Sequence, residues 1–239
     1  MTMKIKRTIA SLVIGLSLLM GTMTSALAQD FSKGLAAARA GDFGTALKEW
    51  RPLAEQGYAL AQFNLGLMYY NGQGVLQDYK ETAKWYRLAA EQGDAPAQFN
   101  LGLMYYNGQG VLQDYKEAAK WYRLAAEQGQ ASAQYSLGLM HFKGQGVPEN
   151  YKEAAKWYRK SAEQGFADAQ THLGLLYLLG RGVIQDNIQA HMWTNLAASN
   201  GNKLAFNGRD IAAKRMTAED ISKAQQLARE CVAKNYKGC

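Results

Sequence analysis

Cysteine and histidine are scarce in this 239-residue chain, at two and three residues. His141, His172 and His191 share no metal-ligand spacing with one another or with Cys231 and Cys239, so neither a metal site nor a cofactor is expected. His141 stands where a repeat tyrosine, Tyr105, stands elsewhere, and His172 replaces Asn100; both read as substituted scaffold positions. No Cys-x-x-Cys is present, so the two cysteines lack the spacing of a redox-active pair. Gly-x-Ser-x-Gly and Ser-x-x-Lys are absent too. The Gly72-Gln73-Gly74 type of element lacks the strand, the third glycine and the lysine of a nucleotide-binding loop, and reads as a turn. Acidic residues fall at helix starts, or three or four positions from Lys and Arg, rather than in convergent pairs. The chain is therefore not expected to be an enzyme.

Long apolar runs are equally rare. One exists, Ile9 to Met20, preceded by Lys4, Lys6 and Arg7 and followed by Ala26-Leu27-Ala28. A basic start, a short apolar run and a small-x-small site are the marks of a secretory signal, expected over residues 1–28 with cleavage before Gln29. No cysteine lies near that site, so a lipid anchor is not expected, and no later stretch could cross a bilayer. The expectation is an exported chain, periplasmic or secreted.

Charge of one sign is missing from most of the sequence. Residues 29–202 hold 16 Lys/Arg and 16 Asp/Glu, whereas residues 203–239 hold 8 and 4. A mild basic excess at one end suits solubility or an anionic surface, and an exported chain is not expected to bind nucleic acid. In an oxidising compartment Cys231 and Cys239 could close a short ring, with Gly238 easing the reversal; pairing between molecules is the alternative.

What the chain has in abundance is a period. Trp85, Trp121, Trp157 and Trp193 are 36 residues apart, as are Gly57, Gly93, Gly129, Gly165 and Gly201, and Gly66, Gly102, Gly138 and Gly174. A step of this size means stacked supersecondary units and a long surface for holding something. Residues 61–93 and 97–129 differ only at Thr82 against Ala118, so one unit offers whatever the other does.

Within residues 94–129, Leu101, Met104 and Tyr105 recur at helical spacing, and Asn107-Gly108-Gln109-Gly110 ends the helix. Val111 and Leu112 give the connector an apolar foot. Asp114 with Glu117 then reads as a capping box, repeated at Asp78/Glu81, Asn150/Glu153 and, in weaker form, Asp186/Gln189. The second helix carries Ala118, Ala119, Trp121, Tyr122, Ala125 and Ala126 and stops at Gly129. Each unit is thus a helix, a glycine turn and an antiparallel helix that cannot bury its apolar faces alone.

These segments, AQFNLGLMYYNGQGV followed by KEAAKWYRLAAEQG, resemble the Sel1-like repeats, a branch of the tetratricopeptide-type α-solenoids. The resemblance implies an all-α, right-handed superhelix of stacked antiparallel helix pairs, with first helices lining a concave side. It also implies an adaptor or scaffold role. The expected organisation is a degenerate helix pair over 29–57, repeats over 58–93, 94–129, 130–165 and 166–201, and capping helices with a basic tail over 202–239. Trp50, 35 residues before Trp85, falls in register opposite Tyr86. Thr217 to Asp220 opens the last helix with another box-like start.

Phe63, Leu67 and Tyr70 form a second apolar stripe on the first helix, beside the stripe of Leu65, Met68 and Tyr69. Its equivalents are Phe99, Leu103 and Tyr106, then Tyr135, Leu139 and Phe142, then Thr171, Leu175 and Leu178. By the resemblance this stripe faces the concave side, with Asn71, Asn107 and Lys143 at its edge for hydrogen bonds to a peptide backbone. The other reading of these side chains is packing against the next unit, with Tyr70, Tyr106 and Phe142 the most exposed. A monomeric scaffold that binds a protein or peptide partner is the expectation. The alternative is a cell-wall or β-lactam-type ligand protein of the envelope, after cysteine-rich relatives that carry a cysteine pair in each repeat, which this chain lacks. A third reading attaches a scaffold to the envelope through the basic cap.

Overall fold

A computed structural model describes residues 30–239, and the expected signal segment lies outside them. All regular structure among the described residues is α-helical. The chain divides between Gln92 and Gly93 into two compact units.

The first unit holds α1 (residues 30–39), α2 (Phe43–Glu55), α3 (Ala59–Asn71) and α4 (Tyr79–Glu91). Its core joins Ala46, Trp50 and Leu53 of α2, Leu65 and Met68 of α3, and Trp85 of α4. The paired helices approach closely because glycine faces an aromatic ring. A β-carbon on Gly34 would lie 2.4 Å from Trp50, and one on Gly66 would lie 2.6 Å from Tyr86. Trp50 thus takes in the first pair the place that Tyr86 takes in the second. The connector after α3 turns on Gly72 and Gly74, both at positive φ. At Gly74 a β-carbon would meet the Phe43 carbonyl oxygen at 2.7 Å, so this loop can rest on the start of α2 only as glycine.

The second unit holds α5 (Ala95–Asn107), α6 (Tyr115–Glu127), α7 (Ala131–Lys143), α8 (Tyr151–Ala162), α9 (Ala167–Leu179), α10 (Asn187–Ser199), α11 (Lys203–Ala213) and α12 (Ala218–Ala233). Helices α5 to α11 pack in sequence order. Trp157 is buried with Ala126 of the preceding pair and with Leu137 and Met140 of its own, so the tryptophan joins one repeat to the one before it. Helix α12 packs on α10, where Ala228 and Cys231 join Tyr158, Met192, Trp193 and Leu196. Cys231 and Cys239 form a disulfide, and the chain between them lays Tyr236 against Gly165.

Two local expectations are corrected. Asp78 and Asp114 accept from backbone N–H groups of the first turn, and Asn150 and Asp186 do the same. The reciprocal half of the capping box does not form at the acidic partners Glu81, Glu117 and Glu153, because the N-cap N–H is already committed. Asp78 N–H donates to the Tyr69 carbonyl at 3.0 Å, and Asp114 and Asn150 donate likewise to Tyr105 and His141. Glu81 instead accepts from Trp85 Nε1 and from Lys84. The full box forms at Thr217 and Asp220. The apolar foot of the connector is one residue, not two. Val75 and Val147 pack against the core clusters, while Leu76 and Leu112 are about nine-tenths exposed.

A glutamine ladder runs under the helix ends. Gln62, Gln98, Gln134 and Gln170 are buried. Gln134 Nε2 donates to the Ala126 carbonyl at the end of the previous pair, and its Oε1 accepts from Gln164 at 2.8 Å. Gln62 does the same with Ala54 and Gln92. In the last repeat the place of Gln164 is taken by Asn200, one methylene shorter, and Gln170 Oε1 has no hydrogen-bond partner. At Gln62 and Gln134 a buried amide is tolerated because each end is met.

Candidate functional site

The first helices α3, α5 and α7 carry the stripe in three environments. Phe63, Phe99 and Tyr135 are half-buried and lie over the rings of Tyr86, Tyr122 and Tyr158, with centroids 5.5, 5.6 and 5.8 Å apart. Burial pushes those three underlying phenols well above their ordinary pKa, so they remain neutral packing groups at physiological pH. Leu67 is exposed, at 37%, and Leu103 and Leu139 are half-buried. Asn71, Asn107 and Lys143 are exposed at the helix ends.

Tyr70, Tyr106 and Phe142 are less open than the sequence led us to expect. Each is half-buried and meets the first ring of its own second helix edge-on: Tyr79 at 5.5 Å, Tyr115 at 5.2 Å and Phe142's partner Tyr151 at 5.4 Å. The Tyr106 hydroxyl donates to Gln145 Oε1 at 3.1 Å, tying α5 to the next connector. The physical reason is the length of the connector, which brings the start of each second helix back alongside these rings. In the fourth repeat the stripe closes: Thr171 and Leu178 are buried, and the Thr171 hydroxyl donates to the Ala167 carbonyl.

The stripe offers apolar and amide contacts. Leucine, half-covered aromatic edges and exposed amides recur at fixed spacing, which suits an extended polypeptide whose side chains and backbone are met in turn. Among the described residues no group of three or more His, Cys, Asp or Glu is placed to hold a metal ion. His141 and His191 are buried, and desolvation lowers the pKa of both. Clefts also open at the C-terminal end. One of about 400 Å³ lies between α10 and α12, beside Leu196, Arg229 and Val232. Another, of about 560 Å³, lies beside Tyr177 and Cys239, where Arg159 donates to the Tyr177 hydroxyl. Sequence reasoning missed the glutamine ladder, although its 36-residue recurrence was visible, and missed a cleft at the start of the first unit beside Leu35, Phe43 and Leu67.

The Sel1 repeat pattern matches residues 59–94, 95–130, 131–166 and 167–202. Two solved structures are similar over most of the chain. One is a protective antigen present in uropathogenic Escherichia coli strains, displaying an SLR fold, 35% identical with a TM-score of 0.77. That match covers 90% of this chain and 48% of the antigen, so the chain spans about half the antigen's length. The other is a Sel1 repeat protein from Oxalobacter formigenes, 33% identical with a TM-score of 0.69, covering 78% of this chain and 85% of that one. A comparison with curated proteins finds no match.

Proposed function

The chain belongs to the Sel1 repeat family, and on that premise we propose that it is a non-enzymatic scaffold that holds a protein or peptide partner along the first-helix faces of its repeats. Sel1-repeat proteins generally act as protein-interaction scaffolds. The observation that carries the reading is the recurring exposed edge of α3 and α5: Leu67 open to solvent, Leu103 half-covered in the same position, and Asn71 and Asn107 exposed at the rim. A packed core alone gives no reason to repeat an uncovered leucine and a terminal amide together.

We place this activity outside the cytoplasm. The basic start, the Ile9 to Met20 run and the Ala26-Leu27-Ala28 site support export. Among the described residues no helix is long and apolar enough to cross a membrane.

The test is a crosslinking capture from native envelope and culture medium, comparing wild type with Leu67→Ser/Leu103→Ser/Leu139→Ser. Helicity and melting are followed in parallel. A partner held stoichiometrically by wild type and lost by the folded triple variant is the expected result. Equal capture by both would move the site off the first helices.

A further inference from the structure

The first helix pair of unit one can be laid, position by position, on the first pair of unit two through the glycines that seat the rings. Gly34 meets Trp50 as Gly102 meets Tyr122. In that register Ala38 stands in the place of Tyr106, Phe43 in the place of Tyr115, and Gln73 in the place of Gln145. In unit two the place is filled. The Tyr106 ring lies edge-on to Tyr115 at 5.2 Å, and its hydroxyl reaches Gln145 Oε1 at 3.1 Å. In unit one Ala38 supplies no ring, and a cleft of about 290 Å³ opens between Leu35, Ala38, Phe43, Leu67 and Gln73.

We propose that this cleft is a preformed seat for a tyrosine side chain supplied by a partner polypeptide. The chemistry of the walls is that of the filled counterpart. Phe43 offers an aromatic face where Tyr115 does, and Gln73 offers a side-chain amide where Gln145 accepts the phenol. Gln73 Oε1 is engaged by the Asn71 amide at a long 3.4 Å, leaving capacity for a second donor. An apolar cavity of about 150 Å³ is enough for a benzene ring. The exposed guanidinium of Arg39 stands at the same cleft as Asn64, available to a backbone carbonyl of the incoming chain.

The tyrosine is assigned to another protein. Residues 1–29 contain no Phe, Trp or Tyr, so they cannot fill the seat. None of the 14 tyrosines of the chain is exposed, so a second copy has none ready to insert. The seat rests on the partner-binding reading of the first-helix face, and narrows it to one residue type at one place.

The experiment titrates the protein with three blocked tripeptides, Ala-Tyr-Ala, Ala-Phe-Ala and Ala-Ala-Ala, followed by amide shifts in NMR. Wild type should bind the tyrosine peptide, prefer it to the phenylalanine peptide by about tenfold, the worth of one neutral hydrogen bond, and ignore the alanine peptide. Gln73→Leu should erase the preference for tyrosine over phenylalanine. Ala38→Tyr should fill the seat from within, raising the melting temperature and abolishing peptide binding. A lower melting temperature for Ala38→Tyr, or unchanged peptide binding by it, would overturn the proposal. A cellular partner captured equally by wild type and Ala38→Tyr would remove the tyrosine seat while leaving the scaffold reading. Tyrosine-peptide binding with no captured partner would keep the seat and remove that reading.

Discussion

Gly102 lies so close to the ring of Tyr122 that a β-carbon added to it would stand 2.8 Å from Cδ1. Two opposing effects meet at such a position. Glycine to alanine in an exposed helix gains up to about 1 kcal/mol, whereas overpacking a core costs about 1–3 kcal/mol. Here the ring belongs to a side chain buried at 2% exposure, and the neighbouring Ala118 carbonyl is only 3.3 Å from the added carbon. The clash wins. Gly102→Ala should lower stability by about 1–2 kcal/mol in urea unfolding, and Gly138→Ala, under Tyr158, should do the same.

The glutamine ladder gives a prediction of opposite sign at its end. Gln170 Oε1 is buried and without a partner, and Asn200 occupies the place from which Gln164 serves Gln134. Asn200→Gln should complete the rung and stabilise by about 0.5–1.5 kcal/mol. Gln134→Leu, which removes the side-chain hydrogen bonds to the Ala126 carbonyl and from the Gln164 amide, should destabilise by about 0.5–1.5 kcal/mol. Thermal melts of the two variants would separate a working ladder from an incidental one.

Acid should loosen the second unit through His141 and His191. Burial, the leading cause, lowers the pKa of both; at His141 the Pro148 backbone opposes it, Arg123 and Arg209 act in the same direction as burial, and Glu153 and Asp210 oppose it. A group whose folded pKa lies below its unfolded one is bound by more protons in the unfolded chain at intermediate pH. Stability therefore rises with pH across that interval. The contribution is complete above about pH 6.5 and is lost as pH falls toward the folded values. His141→Tyr, which restores the residue found at Tyr105, should flatten part of the dependence between pH 7.5 and pH 5. An unchanged slope would assign it elsewhere.

The disulfide fixes a short end. Cys231 is buried beside Ala228 and Leu196, and the ring it closes with Cys239 sets Tyr236 against Gly165. Loop-closure entropy for a ring this small gives about 2–3 kcal/mol. Reduction, or Cys231→Ala/Cys239→Ser, should lower the stability of the second unit by about that amount. Hydrogen exchange should then rise first in α12.

The period, the glycine turns and the aspartate caps were legible in the sequence because each is local: a residue type at a fixed offset with one backbone purpose. What was not legible depends on partners distant in sequence. Glu81 looked like half of a capping box, but the Tyr69 carbonyl takes the N–H it would have met. Leu112 looked like half of the connector's apolar foot beside Val111, but the connector turns it outward. Tyr106 looked exposed until the second helix brought Tyr115 and the next connector brought Gln145. The cleft at Ala38 was hidden because the connector after α1 is shorter than the others, so the register that equates Ala38 with Tyr106 is set by Gly34 and Trp50 rather than by the 36-residue step.

The claim that a partner lies along the first helices is tested most directly by site-specific photocrosslinking in the producing cell. A benzophenone side chain is placed at Leu67 or Asn107 on first helices, and at Leu88 or Leu124, which are equally open on second helices. The account predicts one partner crosslinked from positions 67 and 107, and none from 88 and 124. The same partner crosslinked from 88 and 124 alone would contradict it.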